Sequence, residues 1–143
     1  MRPESHVAVE RRNRAAFLAV FKAGRLSRLL QSEVALFGGA VRPRALRLAT
    51  ALEFGLIDSD LTGRSHERKR VYARFAFAFL ARGRLKLSYP EIGRALGGRD
   101  HTTAQHARRR AEGLIAIDPD FAARCARIEA ALWPAPQPTR LDL

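Results

Sequence analysis

The sequence predicts an all-α fold, in which a helix-turn-helix domain follows an N-terminal helical extension. Apolar residues recur at helical spacing through most of the chain, and capping residues and glycines separate the helical segments. From Ser88 to Arg110 there follow a capped start, a short apolar helix, a glycine turn, a second capped start and a basic helix. This order of parts is typical of a helix-turn-helix.

Composition indicates the class of partner. The chain has 143 residues, which is enough for one domain and a small appendage. Its formal net charge of +12 favours a polyanionic partner, either nucleic acid or an anionic membrane surface. Cys125 is the only cysteine, which excludes an internal disulfide and a cysteine-based zinc site and fits a reducing compartment. With no apolar run of membrane-spanning length and no convincing signal peptide, we expect a cytoplasmic protein.

Residues 1–60 are predicted to form the N-terminal extension and a connecting helix. Apolar positions between residues 9 and 30 suggest one or two helices, with Gly24 as a break. Their apolar face is interpreted as covering the downstream domain, although docking on a partner protein or on a membrane surface is an alternative. Pro43 suits the first turn of the connecting helix, and the segment from Asp58 to Arg64 is read as a loop.

The segment from Val71 to Ala81 fits two patterns. Phenylalanine occupies every second position from Phe75 to Phe79, as in a strand. The intervening alanines and an i, i+4, i+7, i+8 stripe from Val71 favour a helix, and we predict a helix. The basic cluster before it, Arg64 to Arg70, is either a solvated helix start or a functional arm.

Local signals define the two helices of the motif. Ser88 and Glu91 form a capping box, with Pro90 tolerated in the first turn. Two glycines at positions 97 and 98 permit a sharp turn, and Asp100 caps the second helix. That helix has a narrow inner stripe of small apolar side chains: Ala104, Ala107, Ala111 and Leu114.

A last helix is predicted to begin at Asp118, which caps it, and Pro119, which takes the first position. Its apolar stripe consists of Phe121, Cys125, Ile128 and Leu132, and the proline-rich residues 134–143 are expected to form a loose tail. The helix-turn-helix domain is therefore placed at residues 61–133.

The stretch SYPEIGRALGGRDHTTAQHARR closely resembles the signature of domain IV of DnaA, the bacterial chromosome replication initiator. The matching core is PEIGRALGGRDHTT, followed by Ala, a variable residue, His and Ala. The upstream sequence RFAFAFLAR resembles, without a gap, the helix that precedes this signature, which supports a helix at Val71–Ala81. The resemblance covers about Arg64 to Leu132 and implies a Trp repressor-like, DnaA domain IV-like fold that binds double-stranded DNA.

The resemblance also implies roles for individual residues. Base-reading roles fall on the start of the second helix, phosphate-binding roles on basic and main-chain groups around it, and a minor-groove role on the loop before the long helix. At the minor-groove position this chain has His66, with arginines on either side that could substitute. The base-reading residues are Asp100, His101, Thr102 and Thr103; the phosphate-binding residues are Arg74, Arg82, Tyr89, Pro90, Arg99, His106 and Arg110; the arm residues are Arg64, His66 and Arg68.

Enzymatic chemistry is not expected. The initiator's ATPase needs a phosphate loop ending in Gly-Lys followed by Thr or Ser, whereas Lys22, Lys69 and Lys86 are followed by Ala, Arg and Leu. His101 and His106 are five positions apart and do not share a helical face as metal ligands would. We expect a stand-alone relative of the DNA-binding domain, with no cofactor and no metal. It would bind DnaA-box-like sites and modulate replication initiation or transcription. The alternative is a regulator whose residues 1–60 bind the initiator or its control proteins, with weak DNA binding.

Overall fold

The computed structural model describes residues 39–133, and this part of the chain folds into helices without strands. The predicted helices between residues 9 and 30 and the predicted tail at 134–143 lie outside the described residues. None of the helices described is both long enough and apolar enough to cross a membrane. In chain order the helices are α1 (Pro43–Glu53), α2 (Asp58–Thr62), α3 (Arg68–Arg84), α4 (Tyr89–Ala95), α5 (His101–Ile117) and α6 (Pro119–Leu132).

Helix α3 lies at the centre and contacts every other described helix, α5 most extensively. The prediction of a helix rather than a strand at Val71–Ala81 is confirmed. Its small residues permit close packing, since Ala73, Ala76 and Ala81 are fully buried, and Phe77 fills the space between the neighbouring helices. The alternating phenylalanines do not share one environment, because Phe75 is only partly buried.

Helices α1 and α2 contribute to the same core. Leu46 and Leu61 are fully buried in the cluster that also contains the side chains of α3 to α6. The expected loop at Asp58–Arg64 was wrong, because its first five residues form α2. The Asp60 carboxylate accepts a hydrogen bond from the backbone N–H of Ile57 at 3.0 Å, and two aspartates in the first turn favour the helix N-terminus.

The capping signals around the motif are confirmed. Ser88 Oγ accepts from the Glu91 N–H at 3.3 Å, and the Glu91 carboxylate accepts from the Ser88 N–H at 3.0 Å. Gly97 and Gly98 both have positive φ, at 86° and 82°, which glycine adopts without steric cost. Asp100 caps α5, so the turn between α4 and α5 is specified from both sides.

Helices α5 and α6 bury the predicted stripes. The buried residues of α5 are Ala104, Ala107, Ala111 and Leu114, and those of α6 are Phe121, Cys125, Ile128 and Leu132. Asp118 caps α6 as predicted, accepting from the N–H groups of Asp120 and Phe121 at 3.1 Å each. Outside this stripe most side chains of α5 are exposed, among them His101, Thr102, Thr103, Arg109 and Arg110.

Gly93 provides a test of how closely α4 approaches the start of α5. Its carbonyl accepts from the Arg99 N–H at 2.9 Å, and a Cβ at this position would overlap the Arg99 carbonyl. Gly93→Ala should therefore lower the free energy of unfolding by about 1–3 kcal/mol, measured by urea denaturation. Gly113→Ala is the matched control, because a Cβ there meets no atom within 4 Å. It should stabilise α5 by about 0.5–1 kcal/mol. Equal effects of the two variants would contradict this packing.

Cys125 gives a second test. Burial is the main factor that raises the pKa of this thiol, to about 11, and nearby Glu129 and Glu53 raise it further. The thiol form is favoured in the folded state, so this contribution to stability is present at neutral pH and is lost as pH rises through about 11. Labelling by a thiol reagent at pH 8 should be slow in the native protein and fast in denaturant. Rapid labelling without denaturant would show that Cys125 is accessible.

Candidate nucleic-acid interface

The first turn of α5 presents four polar side chains to solvent. Asp100, His101, Thr102 and Thr103 are all exposed, while Ala104 directly after them is fully buried. The predicted base-reading residues thus lie together on one open helix end. Their grouping follows from the inner stripe, which turns the neighbouring positions outward.

Asp100 also caps the N-terminus of helix α5. Its Oδ1 accepts from the Thr103 N–H at 2.8 Å. Hydrogen bonds from Thr103, first from its backbone and then from its side chain, are the main reason that the pKa of Asp100 is lowered. Because the folded-state pKa is depressed, the cap contributes stability above the ordinary aspartate range, and that contribution is lost as pH falls through the lowered pKa.

Arg74 lies in a different place from the one its predicted role requires. Its side chain is only 6% exposed. The guanidinium donates to the carbonyls of Leu61 (2.9 Å), Ser65 (2.6 Å), Asp60 (2.9 Å) and Gly63 (2.9 Å). Phosphate binding needs an exposed guanidinium, and here the group is occupied by carbonyls at the end of α2 and in the loop after it. Arg74 is therefore a structural residue of the interface, and its assignment as a phosphate ligand is corrected.

Arg99 fastens the same loop to the turn of the motif. It donates to the carbonyls of Leu61 at 3.3 Å and Gly63 at 2.5 Å, and also to that of Leu96 in the turn. The loop and the turn are also in close backbone contact, since a Cβ at Gly97 would overlap the carbonyl of Thr62. We define the arm as residues 62–68, and it is joined to α3 by Arg74 and to the helix-turn-helix by Arg99.

The predicted arm residues differ in their surroundings. Arg64 and His66 are exposed on the arm. Arg68 begins α3, where it donates to the Tyr72 hydroxyl at 3.0 Å and lies 5.1 Å from the centre of that ring. Burial, followed by repulsion from Arg64, lowers the pKa of Arg99. Positive charge is therefore concentrated between the arm and the turn.

The remaining predicted phosphate ligands lie around α4 and α5. Arg82 donates to the Leu87 carbonyl at 3.0 Å and stacks over Tyr89, with 4.8 Å to the ring centre. Pro90, His106 and Arg110 are exposed, and His106 packs edge-on against Phe75 at 6.4 Å. These groups flank the four residues of the α5 start, and all except Arg74 are within reach of solvent.

Sequence reasoning missed two functions of arginine. Arg108 donates to the Tyr89 hydroxyl at 3.1 Å and so ties α5 to the start of α4. The sequence does contain a signal for the buried position of Arg74. Arg74, Phe77 and Ala81 fall on one helical stripe whose other members are apolar. An arginine on an inward-facing stripe is expected to find buried acceptors.

An all-α domain with an exposed polar helix start, a glycine turn and a basic arm belongs to the helix-turn-helix class. Residues 44–111 match the family model described as the bacterial dnaA protein helix-turn-helix. The chain is 42% identical over 74 residues to the chromosomal replication initiator protein DnaA of Caulobacter sp., covering 52% of this chain and 15% of that protein.

Two further relatives carry the same name. The protein of Sphingopyxis alaskensis is 35% identical over 97 residues, covering 65% of this chain and 21% of the relative. That of Rhodopseudomonas palustris is 40% identical over 73 residues, covering 51% and 15%. The chain thus matches only a minor part of each relative's length. Residues 44–111 therefore resemble the helix-turn-helix domain of the bacterial DnaA proteins.

The position of Arg74 predicts that lysine cannot replace it. Lysine keeps the charge but cannot donate to four carbonyls at once, so Arg74→Lys should lower the free energy of unfolding by about 2–4 kcal/mol. Arg82→Lys is the control on the same helix, and its exposed side chain should change stability by less than about 0.5 kcal/mol. Denaturant unfolding followed by circular dichroism measures both. If Arg74→Lys retained the stability of the native protein, a simple charge at this position would be sufficient.

Proposed function

We propose that this domain binds duplex DNA in a sequence-specific manner at DnaA-box-like sites. The observation that supports this most directly is the exposed turn of Asp100, His101, Thr102 and Thr103 on a helix whose opposite stripe is buried. A helix presented in this way fits the major groove, with its first turn against the base edges.

The side chains of this turn suit base recognition. A carboxylate such as that of Asp100 accepts a hydrogen bond from a cytosine amino group, and a threonine methyl group packs against a thymine methyl group. His101 can donate to, or accept from, a base edge. Asp100 must remain ionised to accept from cytosine, and the lowered pKa of this group supports that state.

Backbone contacts would fix the register of the helix on DNA. We assign them to exposed or partly exposed groups around the helix start, with main-chain groups at the beginning of α4 as further donors. The proposed set is Arg82, Tyr89, Pro90, Arg99, His106 and Arg110. The arm would lie along the adjacent minor groove, where His66, Arg64 or Arg68 would contact DNA.

We further propose that the protein acts without ATP hydrolysis, modulating replication initiation or transcription by occupying sites that the initiator also recognises. The family match covers a helix-turn-helix alone, and no Gly-Lys followed by Thr or Ser occurs in the 143 residues. The relatives are named as chromosomal replication initiator proteins, which supports the link to initiation.

A second candidate is a regulatory contact made by the N-terminal part of the chain. The family match begins at residue 44, so the preceding residues fall outside it. They would bind the initiator or one of its control proteins. Deletion of residues 1–38 that preserved DNA binding but abolished an effect on replication would favour this candidate.

The main proposal is tested by fluorescence anisotropy with a DnaA box and a scrambled duplex at several salt concentrations. His101→Ala and Asp100→Asn should each weaken box binding by about 1–3 kcal/mol and change scrambled binding little. Asparagine is chosen because it caps a helix as well as aspartate does, so Asp100→Asn separates base reading from helix stability. Equal affinity of the native protein for both duplexes would refute sequence-specific binding and leave only the attraction of charge.

A further inference from the structure

The end of α1 and the N-terminal parts of α3 and α6 enclose a groove of about 480 Å³. Three aromatic side chains line it: Phe54 directly after α1, Tyr72 on α3 and Phe121 on α6. The ring centres of Phe54 and Tyr72 lie 6.3 Å and 5.9 Å from that of Phe121. Phe54 and Phe121 are buried and Tyr72 is half-buried, so the three rings form an apolar floor. We call this site the aromatic groove, and it shares only Arg68 with the proposed DNA interface.

Charged side chains surround the aromatic groove, with opposite net charge on its two sides. The α3 side has one acidic and two basic residues, and the α6 side has two acidic residues and one basic residue. They are Glu67, Arg68 and Lys69 on the α3 side, and Asp118, Asp120 and Arg124 on the α6 side. The groove is therefore neutral as a whole, on a chain whose formal net charge is +12. A second copy of so basic a chain can approach this surface without local repulsion.

The charges of the groove are open to a partner. Among the ion pairs within residues 39–133, none involves Arg68, Lys69 or Asp118. Asp120 pairs with Arg124 at 3.0 Å, but its side chain is 72% exposed. Lys69 is exposed as well. The basic side can thus pair with carboxylates of another molecule, and the acidic side with its cations.

An exposed apolar side chain adjoins the groove. Ile117 ends α5 directly before Asp118, which lines the groove, and Ile117 is 79% exposed. An apolar recess and an exposed apolar side chain therefore lie next to each other on one surface. Such a surface can complement itself, because a two-fold axis places the isoleucine of each copy at the groove of the other. The same axis places the basic side of each groove against the acidic side of the other.

We propose that a second copy of this chain occupies the aromatic groove in a two-fold symmetric dimer. Ile117 of each copy packs on the aromatic floor of the other, and Lys69 of each copy pairs with Asp120 of the other. Each contact occurs twice, as in every isologous interface. A nucleic acid fits this groove poorly, because the acidic side repels phosphates. The dimer does not rest on the proposed function, since these three residues have no part in the proposed DNA contacts.

Sedimentation equilibrium of the full chain, from low micromolar to several hundred micromolar protein, tests the dimer. The native chain should pass from monomer to dimer within this range. Ile117→Ser should raise the Kd of the dimer at least about tenfold, because an apolar side chain no longer becomes buried. Ile57→Ser is the matched control and should leave the Kd unchanged. Ile57 is the other large apolar residue that is exposed within residues 39–133, and it lies outside the groove.

Charge reversal tests the pairing itself. Lys69→Glu opposes two carboxylates at both symmetric contacts, and Asp120→Lys opposes two ammonium groups, so each variant alone should dimerise at least about tenfold more weakly. An equimolar mixture of the two variants should regain most of the native affinity. In the mixed dimer the introduced carboxylate faces the introduced ammonium group, and the native Lys69 faces the native Asp120. Only folded chains can form the mixed dimer, so its formation separates lost charge complementarity from a lost fold.

Three results would overturn the proposal. If the native chain remains monomeric at every concentration, no second copy occupies the groove, and residues 1–38 or a different protein become the occupants to test. A dimer that all three substitutions leave unchanged uses another surface. A mixture that dimerises as weakly as its components refutes the pairing of Lys69 with Asp120, and with it the two-fold arrangement.

Discussion

The candidate interface depends on the contact of one buried guanidinium with carbonyls at the end of α2 and in the loop after it. Helix α2 ends at Thr62, and the carbonyls of its last turn and of the following loop lack partners within the helix. Arg74 satisfies four of them, those of Asp60, Leu61, Gly63 and Ser65, from the central helix. Arg99 shares two of the same acceptors. The arm, the glycine turn and the start of α5 are consequently held against one another by these contacts.

Small residues make this arrangement possible. Alanines line the inner stripe of α5 and the contact face of α3, so the two helices approach closely. The backbone also approaches closely at two glycines. A Cβ at Gly93 would overlap the carbonyl of Arg99, and a Cβ at Gly97 would overlap that of Thr62. Large side chains would have moved α5 outward and separated its first turn from the arm. The positions of the site residues therefore depend on the small side chains of the core as much as on the polar groups at the surface.

Most of the fold could be predicted from sequence because its signals are local. The caps at Ser88, Asp100 and Asp118 depend on neighbours within three residues, and the stripes of α5 and α6 depend on helical spacing alone. The partners of α2 and of Arg74 could not be predicted in this way. They depend on contacts between segments distant in sequence, such as Arg47 with Asp58 at 2.5 Å and Arg74 with the carbonyls of Asp60, Leu61, Gly63 and Ser65. Residue type indicated a basic surface, but only burial distinguishes an arginine that supports the fold from one that is free to bind phosphate.

That distinction changes the meaning of the net charge of +12. Several arginines pair within the domain, as Arg84 does with Glu129 and Arg127 with Glu53, and these contribute little to a specific contact. Arg64 and Arg68 expose positive charge before and at the start of α3, whereas the first turn of α5 exposes the uncharged hydroxyls of Thr102 and Thr103. Under the proposed function, long-range attraction and base reading would therefore fall to separate groups. Under the proposed function Asp100 is the exception, since one carboxylate caps the helix and would also face the major groove. A different base preference at this position would then be restricted to residues that can still cap α5.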